Sequence, residues 1–574
     1  MPAGKGNRMN EQDNLTDKQQ DYAIFLPALS SFYANYVGRQ RTSEYVEQSR
    51  MPAGIPNMEQ LNWLNSQEGL FPYRWSLYSA GHANLDLAKP DPREDMIRNR
   101  DPNTVMLADS GGFQIAKGVW PGEWKDPNSP EVAALMAEAV AKGIELKPVL
   151  DNAGKPKFDK NGKPKFVKIN HVKEYQAKLD AAKKMRETVL KWQMGIATYG
   201  MTMDIPTWTF RDPKASAASG IASYDDAVNA TKYNNEYWIA NRYGDTKILN
   251  VLQGGDHDEA DRWYNTMKDY CDPTKYEKHF NGWGMGGQNM CDVELILKRL
   301  VHLIHDGLLE SGVQDWMHFL GTSKLEWAVL LTAIQRSVRR YHNPTFTISF
   351  DCASPFLATA NGQLYYNITT ENRSKWSYQM SPTVDNKKYA IDNRLFGDVV
   401  RHDKAKSDSS TVIHPGFEES PISSRLKISD ICHYAPGMLN KIGKEGKTSW
   451  DSFSYALLMG HNVWMHIEAV QRANRVFDSG QCPDMMVHPL DSDLDVVRVI
   501  DKVFSAKDRQ TSLQIIKGHA KVWERIIGTR GATGSRAVNS RVMYNKFFNT
   551  ENNETEASEF NEELLDQLEK TVNN

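Results

Sequence analysis

The chain lacks the usual marks of secreted and membrane proteins. It has only five cysteines among 574 residues, and no two of them are closely spaced. So few scattered cysteines exclude a disulfide framework and favour a reducing compartment. No apolar run approaches the roughly 18 residues that a membrane helix needs, and the polar N-terminus does not resemble a signal peptide. We therefore expect a cytoplasmic protein with no membrane partner.

A strong charge bias is also absent. The net charge is −3, so any nucleic-acid footprint must be local. Residues 147–192 hold an excess of eight positive charges, and Gly-Lys-Pro-Lys-Phe occurs there twice, at 154–158 and 162–166. The intervening Asp159-Lys-Asn-Gly162 predicts a hairpin turn, with a helix over about 171–193 to follow. This segment is either a solvated hairpin and helix or a basic flap over phosphates. The flap residues would be Lys155, Lys157, Lys163 and Lys165.

Short apolar runs alternate with helical patterns from about residue 70 to 355. The predicted strands include Val105–Ala108, Lys247–Leu252, Met317–Leu320 and Thr345–Phe350, and the predicted helices include 291–309 and 323–341. This alternation predicts a parallel sheet. Polar motifs after several strands predict a closed (β/α)8 TIM barrel, an α/β fold, with its site at the carboxyl ends of the strands.

The barrel is expected to occupy only part of the chain. Residues 1–20 are polar and predicted to be disordered, and 21–475 would form the barrel. Within it we expect a basic hairpin–helix insertion at 116–193. A C-terminal helical extension at 476–550 and an acidic tail at 551–574, with eight acids and one Lys, would come after the barrel.

Five polar or glycine-rich motifs follow one another along this region. They are Asp109-Ser-Gly-Gly-Phe-Gln114, Thr198-Tyr-Gly-Met-Thr-Met-Asp204-Ile-Pro206, Leu249-Asn-Val-Leu-Gln253-Gly-Gly255, Gly282-Trp-Gly-Met-Gly-Gly287 and Phe350-Asp351-Cys-Ala-Ser-Pro355. An acid at a strand end, followed by two glycines, suits a flat ligand held close to the backbone.

The set resembles the guanine transglycosylases, which exchange a guanine in nucleic acid for a 7-deazaguanine. That family carries Asp-Ser-Gly-Gly-Phe-Gln, a later Asp, Val-Gln-Gly-Gly, a Gly-Gly pair, Gly-Thr and Phe-Asp-Cys. Gly321-Thr322 and Asn361-Gly362 also fall at matching places, and the resemblance covers roughly 70–475 through motifs rather than continuous similarity.

The resemblance implies a role for each site residue. Asp351 would be the nucleophile and Asp109 the general acid/base, while Asp204 would accept hydrogen bonds from the guanine N1 and N2 edge. Gln253 and the Gly287 N–H would contact O6. The remaining candidates for base binding are Ser110, Phe113 and Gly286, with Phe113, Met201 and Trp283 as the side chains that could sandwich the base.

The chemistry needs two carboxylates close together. Breaking an N-glycosidic bond passes through an oxocarbenium-like state, which one carboxylate can stabilise and then trap covalently. A second carboxylate can carry the proton of the departing or arriving base. The target nucleotide must also leave its stack before C1′ can be reached.

Two departures from the family distinguish this chain. The tRNA enzymes carry two arginines after the nucleophile, where this chain has Leu357 and Ala360, which cannot grip phosphate. The family's zinc needs four ligands, but only Cys432 and His461 stand at matching places; His414 or His433 could substitute. We expect no metal and no cofactor. Together these departures point to the viral DNA-modifying transglycosylases, which insert a 7-deazaguanine (preQ0-type) base that protects phage DNA from restriction.

Three other functions stay open at this point. The chain could be a tRNA-guanine transglycosylase with an unusual RNA grip. It could be a barrel nucleoside or glycoside hydrolase, in which water replaces the incoming base. It could also be a non-catalytic nucleic-acid-binding subunit, which the presence of both Asp109 and Asp351 disfavours. The expected partners are DNA and a free 7-deazaguanine base in the host-cell cytoplasm, and the oligomeric state, a homodimer included, is open.

Overall fold

The computed structural model describes the barrel region and part of the C-terminal region. The described residues are 21–38, 48–89, 94–151, 154–322, 324–360, 362–373, 376–398, 400–401, 411–412, 417–433, 449–487 and 495–526. The predictions for 1–20, 527–550 and 551–574, and for His414 and Asn361, therefore lie outside the described residues.

The strands form one large sheet and three small antiparallel pairs. The barrel strands are β1 (Ile24–Pro27), β2 (Trp75–Ser79), β3 (Val105–Asp109), β6 (Tyr199–Met201), β7 (Lys247–Leu252), β8 (Gly282–Met285), β9 (Trp316–Phe319) and β10 (Thr347–Cys352). The pairs are β4 (Ile144–Pro148) with β5 (Phe166–Asn170), β11 (Gln363–Thr369) with β12 (Ser377–Pro382), and β13 (Val400–Arg401) with β14 (Thr411–Val412).

The large sheet is parallel throughout and nearly closed. Its order is β1-β10-β9-β8-β7-β6-β3-β2. The two edge strands meet where Ala28 bridges Leu77 and where the Leu29 N–H donates to the Leu77 carbonyl at 2.9 Å. Buried apolar residues fill the strands, as expected for a parallel sheet covered by helices. The arrangement is consistent with the predicted (β/α)8 barrel.

The helices lie between and after the strands. They are α1 (Ser31–Gly38), α2 (Asp95–Arg98), α3 (Gly112–Ala116), α4 (Pro130–Lys142), α5 (His171–Ile196), α6 (Pro213–Ser219), α7 (Tyr224–Asn241), α8 (His257–Met267), α9 (Val293–His305), α10 (Leu325–Tyr341), α11 (Ser354–Ala360), α12 (Ile428–Ile431), α13 (Ser452–Asp478), α14 (Val496–Ser505), α15 (Arg509–Gly518) and α16 (Ala520–Ile526). None of the described helices combines the length and apolar character that a membrane crossing requires.

Helix α5 joins the basic hairpin to the barrel. Asn170 caps it by accepting the Lys173 N–H at 3.0 Å. Its buried residues begin only at Leu179, so its first two turns stand clear of the barrel. Further along, the buried Arg186 donates to the Trp124 carbonyl at 2.8 Å and to Asn234 Oδ1 at 2.5 Å, which fixes the second half of the helix.

The last three described helices cover the outside of the barrel. Helix α14 contacts α10, and α15 and α16 contact α9. The apolar face of α14 is buried through Val496, Val499, Ile500, Val503 and Phe504. These helices lie where helical segments were predicted after residue 480.

Candidate functional site

Three carboxylates follow strands of the large sheet at the same end. Asp109 is the last residue of β3, Asp351 lies near the end of β10, and Asp204 follows β6 by three residues. Because all three strands run in parallel, their carboxyl ends share one mouth of the barrel. Asp351 raises the pKa of Asp109, and Asp109 raises the pKa of Asp204, as expected for carboxylates that share this mouth.

Asp351 is held through only one of its two oxygens. Oδ1 accepts the Gly321 N–H at 3.0 Å and a hydrogen bond from His318 Nε2 at 3.1 Å. No other described group bonds to the carboxylate, so Oδ2 is left for an incoming group. A carboxylate that is fixed on one oxygen and accessible on the other is suited to nucleophilic attack.

His318 belongs to a buried relay that was not predicted from the sequence. Its Nδ1 lies 2.8 Å from Ser349 Oγ, which also accepts the Trp316 indole N–H at 2.7 Å. Because the Asp351 carboxylate can only accept, Nε2 carries the proton of this hydrogen bond, and in the neutral ring Nδ1 then accepts from the Ser349 hydroxyl. His318 and Ser349 are fully buried and directly paired across β9 and β10.

The surroundings of Asp109 shift its pKa upward. Burial raises its pKa, and the neighbouring Asp351 carboxylate raises it further. Hydrogen bonds act in the opposite direction, chiefly one from the Ser79 hydroxyl to Oδ2 at 2.6 Å. Ser79 ends the neighbouring strand β2, so its position is set by sheet register, which pairs it with Asp109. A buried carboxyl whose pKa is raised is suited to act as a general acid.

Asp204 is almost fully buried and is paired with Gln253. The Gln253 Nε2 group donates to Asp204 Oδ2 at 2.7 Å. Burial nevertheless raises the pKa of Asp204 to about 7, with a further increase from the Asp109 carboxylate. Asp204 can therefore gain or lose a proton near neutral pH.

Two glycines allow the loops to close around this pair. A Cβ atom on Gly112 would lie 2.6 Å from the Asp204 carbonyl oxygen and 3.1 Å from its Oδ1. A Cβ atom on Gly287, where φ is +57°, would lie 2.4 Å from the Gly254 carbonyl oxygen. Any larger residue would push these loops apart. The glycine motifs seen in the sequence thus bring Asp204, Gln253 and Gly286-Gly287 together.

Several buried oxygens after the barrel strands have no protein partner among the described residues. An unpaired buried polar group costs about 1–3 kcal/mol, so each of these oxygens is suited to accept a hydrogen bond from a polar ligand or an ordered water. The atoms are Ser110 Oγ, Gln253 Oε1, Gln288 Oε1, Asn289 Oδ1 and Thr322 Oγ1.

The three candidate stacking residues, Phe113, Met201 and Trp283, differ in their exposure to solvent. Phe113 is 45% exposed and makes an edge contact with Trp208 at 5.8 Å, so it is available to a ligand. Met201 is buried on β6. Trp283 is buried between the sheet and its helices, where its indole N–H donates to the Leu308 carbonyl at 2.9 Å. Trp283 therefore lies in the core, which was the alternative to stacking for this residue, and its stacking role stays a prediction.

Cys432 and His461 each have protein partners. The Cys432 thiol donates to the Val384 carbonyl at 3.4 Å, and burial raises its pKa to about 11. The His461 ring contacts Ser420 Oγ at 2.8 Å and the Tyr365 carbonyl at 2.7 Å, and burial lowers its pKa to about 4. Within the described part of the chain, no group of three or more His, Cys, Asp or Glu side chains could hold a metal. The expected loss of zinc stays a prediction, since His414 lies outside that part.

The four predicted phosphate-binding lysines lie apart from the carboxylates. Lys155, Lys157, Lys163 and Lys165 are all exposed between β4 and β5. The two replaced arginine positions lie close behind the nucleophile on α11, where Leu357 is half-buried and Ala360 is buried. Neither position offers a cation to a ligand.

Comparison of the chain with known protein families finds no match, and comparison with curated proteins finds none either. The site must therefore be interpreted from its own geometry and from the motifs.

Asp204 is predicted to make the free energy of unfolding depend on pH. Its pKa rises from 3.8 to about 7 on folding, so between these values the unfolded chain has released a proton that the folded chain still holds. Its contribution is fully present below pH about 4 and is lost as the pH rises to about 7, a change of roughly 4 kcal/mol. Asp204→Asn keeps an acceptor for Gln253 but cannot ionise. Denaturant unfolding should therefore show a variant as stable as the wild type near pH 4 and more stable near pH 8.

The matched control is Asp245→Asn, at an exposed position before β7. It should follow the wild type at every pH. Parallel profiles for Asp204→Asn and the wild type would contradict the assignment of a raised pKa to Asp204.

Proposed function

We propose that this protein exchanges guanine in DNA for a 7-deazaguanine base through a covalent glycosyl-aspartate intermediate. The observation that carries the proposal is that Asp109, Asp204 and Asp351 stand at or just after the carboxyl ends of parallel strands of one sheet, and that buried oxygens without a partner among the described residues follow strands of the same sheet. Two of these carboxylates suit glycosidic chemistry. The third, with Gln253, suits recognition of a flat, hydrogen-bonding base.

The two-step exchange assigns a separate task to each carboxylate. Asp351 Oδ2 attacks C1′ of the target nucleotide, the C1′–N9 bond breaks, and Asp109 gives its proton to the departing guanine. The arriving base then loses its N9 proton to Asp109, and its N9 attacks C1′ while the bond to Asp351 breaks. Atoms and protons balance, and Asp109 ends protonated as it began. The raised pKa of Asp109 supports its assignment as the first proton donor.

Base recognition would require one rearrangement. Gln253 donates its amide N–H to Asp204 and turns an unpaired Oε1 toward its surroundings. Contact with the guanine O6 needs a donor, so the amide would turn over when the base arrives. Asp204 would then be released to accept from N1–H and the N2 amine. Ionisation of Asp204 would accompany binding, since hydrogen bonds to its charged form stabilise that form.

The choice of DNA over tRNA rests on the residues that follow the nucleophile. Leu357 and Ala360 offer no charge there, and a restriction-protecting modification of viral DNA is what the resemblance then implies. The basic segment before α5, with Lys155, Lys157, Lys163 and Lys165, would supply the phosphate contacts instead. The finer architecture, in which that segment is an insertion into a TIM barrel and the last helices are an added extension, belongs to the same proposal.

Replacement of the nucleophile should abolish exchange. Asp351→Ala removes the only side chain assigned to attack C1′, so the rate should fall by about 10⁴-fold or more. The assay follows incorporation of a labelled 7-deazaguanine into duplex DNA and into tRNA in parallel, with Asp245→Ala as the matched control. Full activity in Asp351→Ala would overturn the assignment, and exchange on tRNA alone would overturn the choice of DNA.

His318 should act as a positioning residue for Asp351. His318→Phe removes the Nε2 donor within a similar volume, and loss of a hydrogen bond to a charged group of about 1.5–3 kcal/mol predicts a 10- to 100-fold lower kcat with little change in KM for the base. His318→Gln places an amide N–H near the Nε2 position and should recover part of kcat. Equal rates for Phe and Gln, or a change confined to KM, would contradict the role.

Four lysines should contribute contacts to the DNA phosphates. Changing Lys155, Lys157, Lys163 and Lys165 together to Gln should weaken DNA binding and flatten its salt dependence, by about 0.9 in slope for each phosphate that the variant no longer neutralises. Exchange at saturating DNA should survive. The control changes four exposed lysines elsewhere, which are Lys278, Lys507, Lys517 and Lys521. If the first variant binds DNA with unchanged affinity and unchanged salt dependence, the phosphate contacts lie elsewhere on the protein.

A further inference from the structure

The segment between α4 and α5 contains a threefold repeat that the sequence shows only in part. Lys-Pro-Lys-Phe at 155–158 and 163–166 is preceded by Lys-Pro-Val-Leu at 147–150, eight residues earlier. The central residues of the three copies form a closed triangle of backbone hydrogen bonds. Val149 N–H donates to the Lys165 carbonyl, Lys165 to Lys157 and Lys157 to Val149, at 2.7–2.8 Å. We call residues 144–170 the knob.

One face of the knob is apolar and exposed. Each copy places its fourth residue opposite the proline of another copy: Leu150 opposite Pro156, Phe158 opposite Pro164, and Phe166 opposite Pro148. Directly opposed residues of an antiparallel pair share a face. The exposed fractions of Leu150, Phe158 and Phe166 are 50%, 57% and 56%.

Ile144 and Leu146 extend this face along β4, where they are 55% and 63% exposed, and the exposed Lys168 lies opposite Leu146 at the edge of the face. Five large apolar side chains standing together in solvent mark an interaction surface rather than scattered surface residues.

The other face of the knob is basic. Side chains alternate along each strand, so the first and third residues of every copy point away from the apolar face. The lysines on this second face are Lys147, Lys155, Lys157, Lys163 and Lys165. Apart from a contact between Lys147 and Glu145, no ion pair to an acidic group is formed by these lysines within the described part of the chain.

The knob lies on the side of the barrel that carries the carboxylates. Helix α5 leads into β6, so its last residues lie at the amino end of the sheet and its first residues lie toward the carboxyl ends. Its 26 residues span about 39 Å, whereas a six-residue strand such as β7 spans about 20 Å. The helix therefore extends past the barrel mouth and holds the knob beyond it.

We infer that the knob is a DNA-binding arm that inserts its apolar side chains into a duplex beside the target nucleotide. The inference takes duplex DNA as the substrate from the proposed function and adds how the base would be freed from its stack. Apolar wedges of Phe, Leu and Pro are the side chains that enter base steps and open them. The positive charge on the other face matches the phosphates that border a groove.

The dimensions of the groove fit both faces at once. The major groove is about 12 Å wide and 8.5 Å deep and admits a two-stranded β-ribbon, and one layer of side chains on a sheet occupies about 5 Å, half of the spacing between stacked sheets. A knob lying with its apolar face on the groove floor would hold its opposite face near the level of the flanking phosphates. The lysine stems could then reach the phosphates on either side.

A second copy of this chain is a poorer occupant of the apolar face. Residues 147–168 contain seven lysines and two aspartates, an excess of five positive charges. Pairing two such surfaces would bring ten excess positive charges together, which opposes association.

Unstacking can be measured without base exchange. Asp351→Ala serves as the background, and the probe is a duplex with 2-aminopurine beside the target guanine, whose fluorescence rises when it leaves the stack. The background protein should raise this fluorescence several-fold. Adding Phe158→Ala and Phe166→Ala should remove the rise and lower duplex affinity by about tenfold for each ring removed, while the salt slope stays the same. The four-lysine variant should show a smaller salt slope, and at saturating DNA it should keep the fluorescence rise.

Two exposed tyrosines at the other end of the barrel provide the matched control, Tyr243→Ala with Tyr341→Ala. This pair should leave the fluorescence unchanged. The inference fails if the phenylalanine variant unstacks DNA as well as the background protein, or if its only defect is loss of a dimer in sedimentation. If the wild type unstacks DNA but exchanges no base, the inference stands and the proposed function is overturned. If the wild type exchanges the base on a duplex that the knob does not unstack, the proposed function stands and the inference is overturned.

Discussion

The burial of carboxylates at one barrel mouth is the constraint on which the site depends. Burial raises the pKa of Asp109 and Asp204, and repulsion from a neighbouring carboxylate, Asp351 for the first and Asp109 for the second, raises each pKa further. The barrel fold brings these carboxylates together because the carboxyl ends of its parallel strands all lie at the same face. Such perturbed groups cluster at functional sites because proton transfer needs pKa values near the working pH.

The hydrogen-bond partners of these carboxylates differ. Asp351 accepts the His318 Nε2–H and the Gly321 N–H on one oxygen, while Asp109 accepts the Ser79 hydroxyl and the backbone N–H groups of Ser110 and Gly111. The relay behind Asp351 runs through His318 and Ser349 to Trp316, and all of it lies between two adjacent strands. Sheet register, rather than a flexible loop, therefore positions the nucleophile, and this rigidity suits a reaction that requires attack at one defined atom.

The sequence predicted the elements whose patterns are local. Strand β7 begins and ends where the apolar run Lys247–Leu252 predicted. Strand β10 begins two residues later than predicted because Thr345 belongs to the preceding turn, where its hydroxyl donates to Asp315 and its N–H to Asn343. The first knob repeat was missed because Val149-Leu150 replaces Lys-Phe. His318 was missed because a lone histidine in a strand resembles a core residue until the register pairs it with Ser349.

The covalent intermediate is the central claim, and mass spectrometry of the trapped complex tests it most directly. The protein is incubated with duplex DNA and no incoming base, denatured, digested with nuclease and protease, and its peptides are sequenced. The account predicts a 2′-deoxyribose remnant bonded to the side chain of Asp351. A remnant on another residue, a ribose remnant obtained only with tRNA and heavier by one oxygen atom, or no covalent remnant under conditions of active exchange would contradict it.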